Sequence, residues 1–175
     1  MVLAALLLMA ACGSSRGPAL PNPSDGEWHL FEGTWNAAGT RRTLRLGPED
    51  RAAIFELTGS ILLTGAQRPA LGFRAQAIGF SDRGAGMQGR CVWTDERGEM
   101  VYSEMKGEAV GSGKHIVGTF IGGTGRYAGM TGDYSFQWQY VVDAEDGEVS
   151  GRAVDLKGRA RFGNAATALG GGPDR

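Results

Sequence analysis

The side chains of this sequence able to do chemistry are few, and their spacing excludes most of what such groups do. His29 and His115 are the only histidines, and neither has a second nitrogen or sulfur ligand at metal-binding spacing. No run of Asp and Glu has the oxygen-rich pattern of a calcium or magnesium loop, so no metal is expected. A Ser-His-acid triad assembles in space, but no Gly-x-Ser-x-Gly elbow occurs to present its nucleophile. Gly123-Thr124-Gly125-Arg126-Tyr127-Ala128 fits a GxGxxA dinucleotide pattern. More glycines and alternating aromatics follow it, where that pattern requires a helix. No Lys-Ser or Lys-Thr closes a phosphate loop, and no cofactor is expected.

The sharpest catalytic candidate is Glu104, and it depends on a hairpin. Asp95-Glu96-Arg97-Gly98 has an acid at its start and a glycine at its end, as a short loop around a type I turn requires. With those four as the loop, Trp93 faces Met100, Cys91 faces Tyr102 and Gly89 faces Glu104. Opposed residues share a face, so Cys91, Trp93, Met100, Tyr102 and Glu104 are expected inside, with Arg90, Val92, Val101 and Ser103 on the other side. A carboxylate beside a thiol, a phenol and an indole is desolvated and exchanges protons nearer neutrality. Two alternatives stand beside this. Glu104 can lie solvated at a rim or pair with Arg74 or Arg90, and a three-residue loop with a bulge shifts the register by one and moves Glu104 off that face.

The element that would position such a site begins at Gly118. Tyr134, Phe136, Trp138 and Tyr140 alternate with Ser135, Gln137 and Gln139, the period-two signature of a half-buried strand. The glycine-rich segment before it reads as a strand, a glycine turn, a short strand and a second break. Gly122-Gly123-Thr124-Gly125-Arg126-Tyr127-Ala128-Gly129-Met130-Thr131-Gly132 resembles the glycine signature shared by allene oxide cyclase and dirigent-type barrels. The resemblance implies a closed antiparallel β-barrel, commonly of eight strands, whose apolar interior holds a hydrophobic substrate or a reactive radical product. It also implies trimers, but the polar Ser135, Gln137 and Gln139 face offers no apolar interface to demand one, and the oligomeric state stays open.

The rest of the chain agrees with an all-β reading. Candidate strands are Trp28–Trp35, Thr40–Leu46, Ala53–Thr58 extended by Ser60–Leu63, Gly72–Phe80, Gln88–Thr94, Glu99–Glu108, His115–Ile121, Asp133–Val142 and Gly151–Phe162. That makes eight or nine short strands at regular spacing, with no amphipathic helical run between them. The expected fold is a single antiparallel closed β-barrel of about eight strands over residues 27–162, with little or no helix. Thirty glycines spread through 175 residues mark many turns, and a net charge of −1 without a basic stripe excludes a nucleic-acid footprint.

The amino end suggests an address. Met1–Ala11 is an uncharged apolar run, too short to span a bilayer and of the length of a signal-peptide core. Leu8-Met9-Ala10-Ala11-Cys12 resembles the bacterial lipobox, which implies lipidation of Cys12. No Lys or Arg precedes the run, so either the true start lies upstream or the signal is atypical. Residues 12–26 have the composition of a flexible tether, and residues 163–175 lack a core pattern. Gly13 stands where an aspartate retains many lipoproteins at the inner membrane, so a periplasm-facing outer-membrane lipoprotein is expected. With Cys12 acylated, Cys91 is left unpaired and reads as a small buried hydrophobe rather than a reactive thiol.

Two functions follow as expectations. The first is a lipid-anchored envelope barrel that binds a small hydrophobic molecule, or serves as a scaffold, without catalysis. Cys91, Trp93, Tyr102, Tyr134, Phe136 and Trp138 are its candidate ligand contacts. The second is a cofactor-free cyclase or isomerase acting on an apolar substrate inside the barrel, chemistry that leaves almost no motif.

Overall fold

The computed structural model describes residues 26–107 and 114–163. The expected leader, Cys12, and nearly all of the tether and tail lie outside the described residues. Eight strands, β1 (His29–Arg45), β2 (Arg51–Thr64), β3 (Gly72–Asp82), β4 (Gly86–Thr94), β5 (Met100–Gly107), β6 (Lys114–Gly123), β7 (Thr131–Asp143) and β8 (Gly147–Arg161), pair as antiparallel neighbours in chain order. β8 returns to β1, so the sheet closes on itself and leaves no unpaired edge. The expected all-β barrel is thus what the chain forms, with one 3-10 turn (Gly125–Tyr127) as the helical content of the described residues.

Eight strands replace the nine candidates because Trp28–Trp35 and Thr40–Leu46 are two parts of one strand. Asn36-Ala37-Ala38-Gly39 reads as a break, yet β1 runs through it, with Ala37 opposite Gly59 on one side and Gly151 on the other. Small residues sit there because the neighbouring backbones approach closely. A Cβ on Gly59 would overlap the Asn36 carbonyl.

The parity of β8 changes part-way along. Its pairing shifts against β1 between Gly33 and Trp35 and against β7 between Ser135 and Gln137. The extra residue is taken up near Val154 and Asp155, with Asp155 at φ 53°. Val149, Gly151 and Ala153 are buried before this bulge, and Leu156 and Ala160 after it. Without the extra residue, one half of β8 would turn its apolar side chains to solvent. The same shift puts Lys157, Arg159 and Arg161 on the outer wall.

Rings fill the interior. Trp93 lies 4.9 Å from Tyr134, 5.3 Å from Phe120, 5.5 Å from Phe73 and 6.4 Å from Phe31, measured between ring centroids. An eight-stranded barrel is just wide enough for side chains to do this. Gly118 sits opposite Tyr134, and a Cβ there would overlap the Tyr134 ring. Packing at this density is what holds the centre shut.

Candidate functional site

The two ends of the barrel differ. Both ends of the described chain and the connections 65–71, 95–99 and 124–130 lie at one end, which is closed. Tyr127, Met130, Ala70 and Phe162 are buried across it. The glycine-rich signature builds this plug with the 3-10 turn, in place of the short strand the sequence suggested. Thr124 donates its N–H to the Met100 carbonyl and accepts the Met100 N–H on Oγ1, both at 2.8 Å. Gly125 then turns at φ 52°, where a side chain would collide with Glu99.

Asp95 locks the plug to the β4–β5 hairpin. Its side chain is fully buried and accepts hydrogen bonds from the Arg97 N–H (2.8 Å), the Glu99 N–H (2.9 Å), Arg126 Nη2 (2.6 Å) and the Tyr127 hydroxyl (3.1 Å). Burial alone would raise this carboxyl. The two N–H groups, then the Arg126 guanidinium and the Tyr127 hydroxyl, outweigh it and hold the carboxyl below the ordinary carboxylate range. Burial is also the main reason that the Tyr127 phenol is raised. This is a latch between the hairpin and the plug.

The latch corrects the expected hairpin register. The Asp95 N–H donates to the Glu99 carbonyl at 3.0 Å and the Gly98 N–H to the Asp95 carbonyl at 3.1 Å, with Gly98 at φ 80°. The loop therefore has three residues, Glu96 to Gly98, with a bulge at the glycine. Thr94 pairs with Met100, Cys91 with Ser103 and Arg90 with Glu104, one residue away from the four-residue-loop pairing. Val101, Ser103 and Met105 thus point inward, while Met100, Tyr102 and Glu104 lie on the outer side. Glu104 pairs there with Arg90 at 2.8 Å, and Tyr102 donates its hydroxyl to Met100 Sδ at 3.7 Å. Neither Glu104 nor Tyr102 contributes to the interior.

The other expected contacts do meet. Cys91, Trp93, Tyr134, Phe136 and Trp138 are all buried in the single core. Ser103, which the expected register placed outside, lies among them, with Oγ 2.8 Å from the Tyr134 hydroxyl and donating to the Cys91 carbonyl at 3.4 Å. Burial raises the Cys91 thiol to about 12, so it is neither a thiolate nor a nucleophile at neutral pH. Burial also pushes the Tyr134 phenol well up, and the neighbouring Cys91 adds to the shift. The centre is a neutral hydrogen-bonded group packed on all sides.

The opposite end is the mouth. There Trp35, Phe55, Met87, Met105, Trp138 and Tyr140 surround a cavity of about 20 Å3, with Ile116 and Lys114 completing its wall. That is room for about one water molecule. The indole N–H of Trp35 is buried here without a hydrogen-bond partner in the protein, an unusual state for such a donor, whereas the Trp138 indole reaches the Tyr140 hydroxyl. Arg41 closes over the rim. It pairs with Asp143 at 2.8 Å, donates to the Ala144 carbonyl, and lies 5.4 Å from the Tyr140 ring centroid. Larger open grooves, of about 690, 710 and 580 Å3, run along the outer wall, and one of about 400 Å3 lies at the polar mouth rim between Arg41, Arg51, Arg83, Asp143 and Glu145. The first is lined by solvated groups such as Glu32, His115, Asp155 and Lys157. Among the described residues no group of histidines, cysteines and carboxylates is placed to hold a metal ion.

Comparison with known proteins adds no neighbour. No family model, no curated protein and no solved structure matches this chain.

Sequence reasoning missed the mouth for a definable reason. Met87, Gly89, Cys91 and Trp93 share one parity and point to a common face, so Met87 was within reach of the pattern. Trp35, Phe55 and Met105 come from other strands, and nothing in a single strand says that they meet at one end.

Proposed function

We propose that this protein is a non-catalytic, lipid-anchored barrel of the bacterial envelope that faces the periplasm and binds a small apolar molecule at its mouth. The observation that carries the reading is the unpartnered, buried indole donor of Trp35 beside an apolar cavity. An unmet N–H in an apolar site is costly, and a ligand oxygen would satisfy it. The cavity is small as it stands, but Met87 and Met105 line it. Unbranched thioether side chains repack with little penalty, which suits a site that opens around its guest. The lipobox-like Leu8–Cys12 supports the anchor, and the likeness of Gly122–Gly132 to the allene oxide cyclase and dirigent signature supports an apolar guest.

A cyclase or isomerase reading needs reactive space beside a group able to move a proton. Ser103 and Tyr134 are the polar pair at the centre, and rings occupy the space around them, so nothing here favours that alternative.

The test is native mass spectrometry of the protein purified from its own envelope. A reproducible added mass, removed by organic extraction and abolished by Met105→Phe in a variant that still melts cooperatively, is the expected result. A clean protein mass, together with no binding of apolar fluorescent probes, would overturn ligand binding and leave a side-chain-filled scaffold.

A further inference from the structure

The closed end carries an aromatic and basic cluster that the fold does not use. Trp28 is 38% exposed, whereas Trp35, Trp93 and Trp138 are at most 4% exposed. The guanidinium carbons of Arg159 and Arg161 lie 4.7 and 5.2 Å from the Trp28 ring centroid. Leu30 faces Arg159 across the β1–β8 ladder, and Leu30 and Leu71 are both more than half exposed at this end. Lys157 extends the basic row along β8, with Glu32 opposite it on β1. Asp133 pairs with Arg159 at 2.9 Å, but Arg161 has no carboxylate partner among the described residues.

The mouth lacks this character. Its arginines are matched by acids, Arg41 with Asp143, Arg45 and Arg51 with Glu145, and Arg83 with Glu49 and Asp50; at the closed end Arg97, Arg126 and Arg159 are matched as well, and the difference there is Arg161 beside the exposed Trp28 ring. Position decides what the cluster faces. The chain enters the barrel at Trp28, and the thirteen residues between Cys12 and Gly26 span at most about 45 Å even when fully extended.

We infer that the closed end is a membrane-facing surface, with Trp28 at headgroup depth and Arg159, Arg161 and Lys157 against anionic lipid. An indole with an apolar body and a polar edge suits the interface, and each arginine there draws on the negative surface potential. The mouth then points away from the bilayer, open to a ligand arriving from the aqueous side. The inference rests on the anchored reading above, and the experiment separates the two.

The chain from Cys12 onward contains all eight strands and the β1–β8 closing ladder within residues 29–161, so it can be tested without the leader. Cys12 and Cys91 are its only thiols, and the second is buried, so a maleimide lipid couples at Cys12 whether or not cells acylate it. Coupled protein is placed on vesicles of brominated phosphatidylcholine, with or without phosphatidylglycerol as about one lipid in three. Trp28 emission is read as the difference from Trp28→Phe.

On anionic vesicles the Trp28 signal should fall by about half or more, with far less loss on neutral ones. Arg159→Gln with Arg161→Gln should bring the anionic result down to the neutral one while the melting transition persists. Unquenched Trp28, or quenching equal on both vesicles and unmoved by the arginine changes, overturns the inference and leaves the face to a protein partner or to none. Failure of the anchored reading is a separate result: protein from the envelope whose mass carries no lipid.

Discussion

Replacing Asp95 by asparagine isolates the latch that shuts one end of the barrel. The substitution keeps shape but removes the charge and turns one acceptor oxygen into an NH2 group facing donors. Four bonds converge on the carboxylate, from Arg97, Glu99, Arg126 and Tyr127. Breaking a buried ion pair costs about 3–5 kcal/mol. Arg126 is 22% exposed and keeps Glu99 at 3.4 Å and Glu96 at 3.7 Å, so the low end applies. About 3 kcal/mol in a domain of this size lowers Tm by roughly 10 °C. The pH dependence has a definite sign. Because the folded-state carboxyl lies below its unfolded value of about 3.9, its contribution is complete above that pH and is lost as pH falls through the folded pKa. Melting followed by circular dichroism from neutral to strongly acid pH should show a gap between wild type and Asp95→Asn that is constant down to about pH 4 and then narrows. A gap under about 1 kcal/mol, or one that ignores acid, would refute the latch.

Other consequences are simpler to read. Gly118→Ala puts a methyl group into the Tyr134 ring and should cost about 1–3 kcal/mol, or prevent folding, seen as a lowered denaturant midpoint. Cys91, with its thiol raised to about 12, should resist a disulfide reagent at pH 8 in the native state and react fully in denaturant. Fast native labelling would contradict its burial. Glu104→Gln loses an exposed pair with Arg90 and should change stability by less than about 1 kcal/mol, with no effect on ligand capture at the mouth. A large effect on capture would mean that the register described for β4 and β5 is wrong.

The register of that hairpin shows where sequence reasoning reached and where it stopped. Asp95 and Gly98 marked the turn, and both loop lengths were open to the pattern. The chain takes the three-residue loop, which also sets Asp95 against Arg126 and Tyr127, about thirty residues further along. One residue of register then moved Glu104 from a desolvated interior to a surface ion pair and brought Ser103 inside in its place. The break expected at Asn36–Gly39 failed in a similar way. Glycine and alanine there signal close strand approach as readily as a turn, and local propensity cannot tell the two apart.

The sequence by itself determined the all-β class, the alternation that buries Tyr134, Phe136 and Trp138, and the packing role of Cys91. Each of these depends on the two-residue period of a strand, which is a local property of the chain. The tertiary structure decided the strand count, the hairpin register, the filled centre, and the contrast between a plugged end and an apolar mouth. Those depend on which side chains from separate strands meet once the sheet closes. Closure is a global condition on twist, shear and bulges that no single strand encodes.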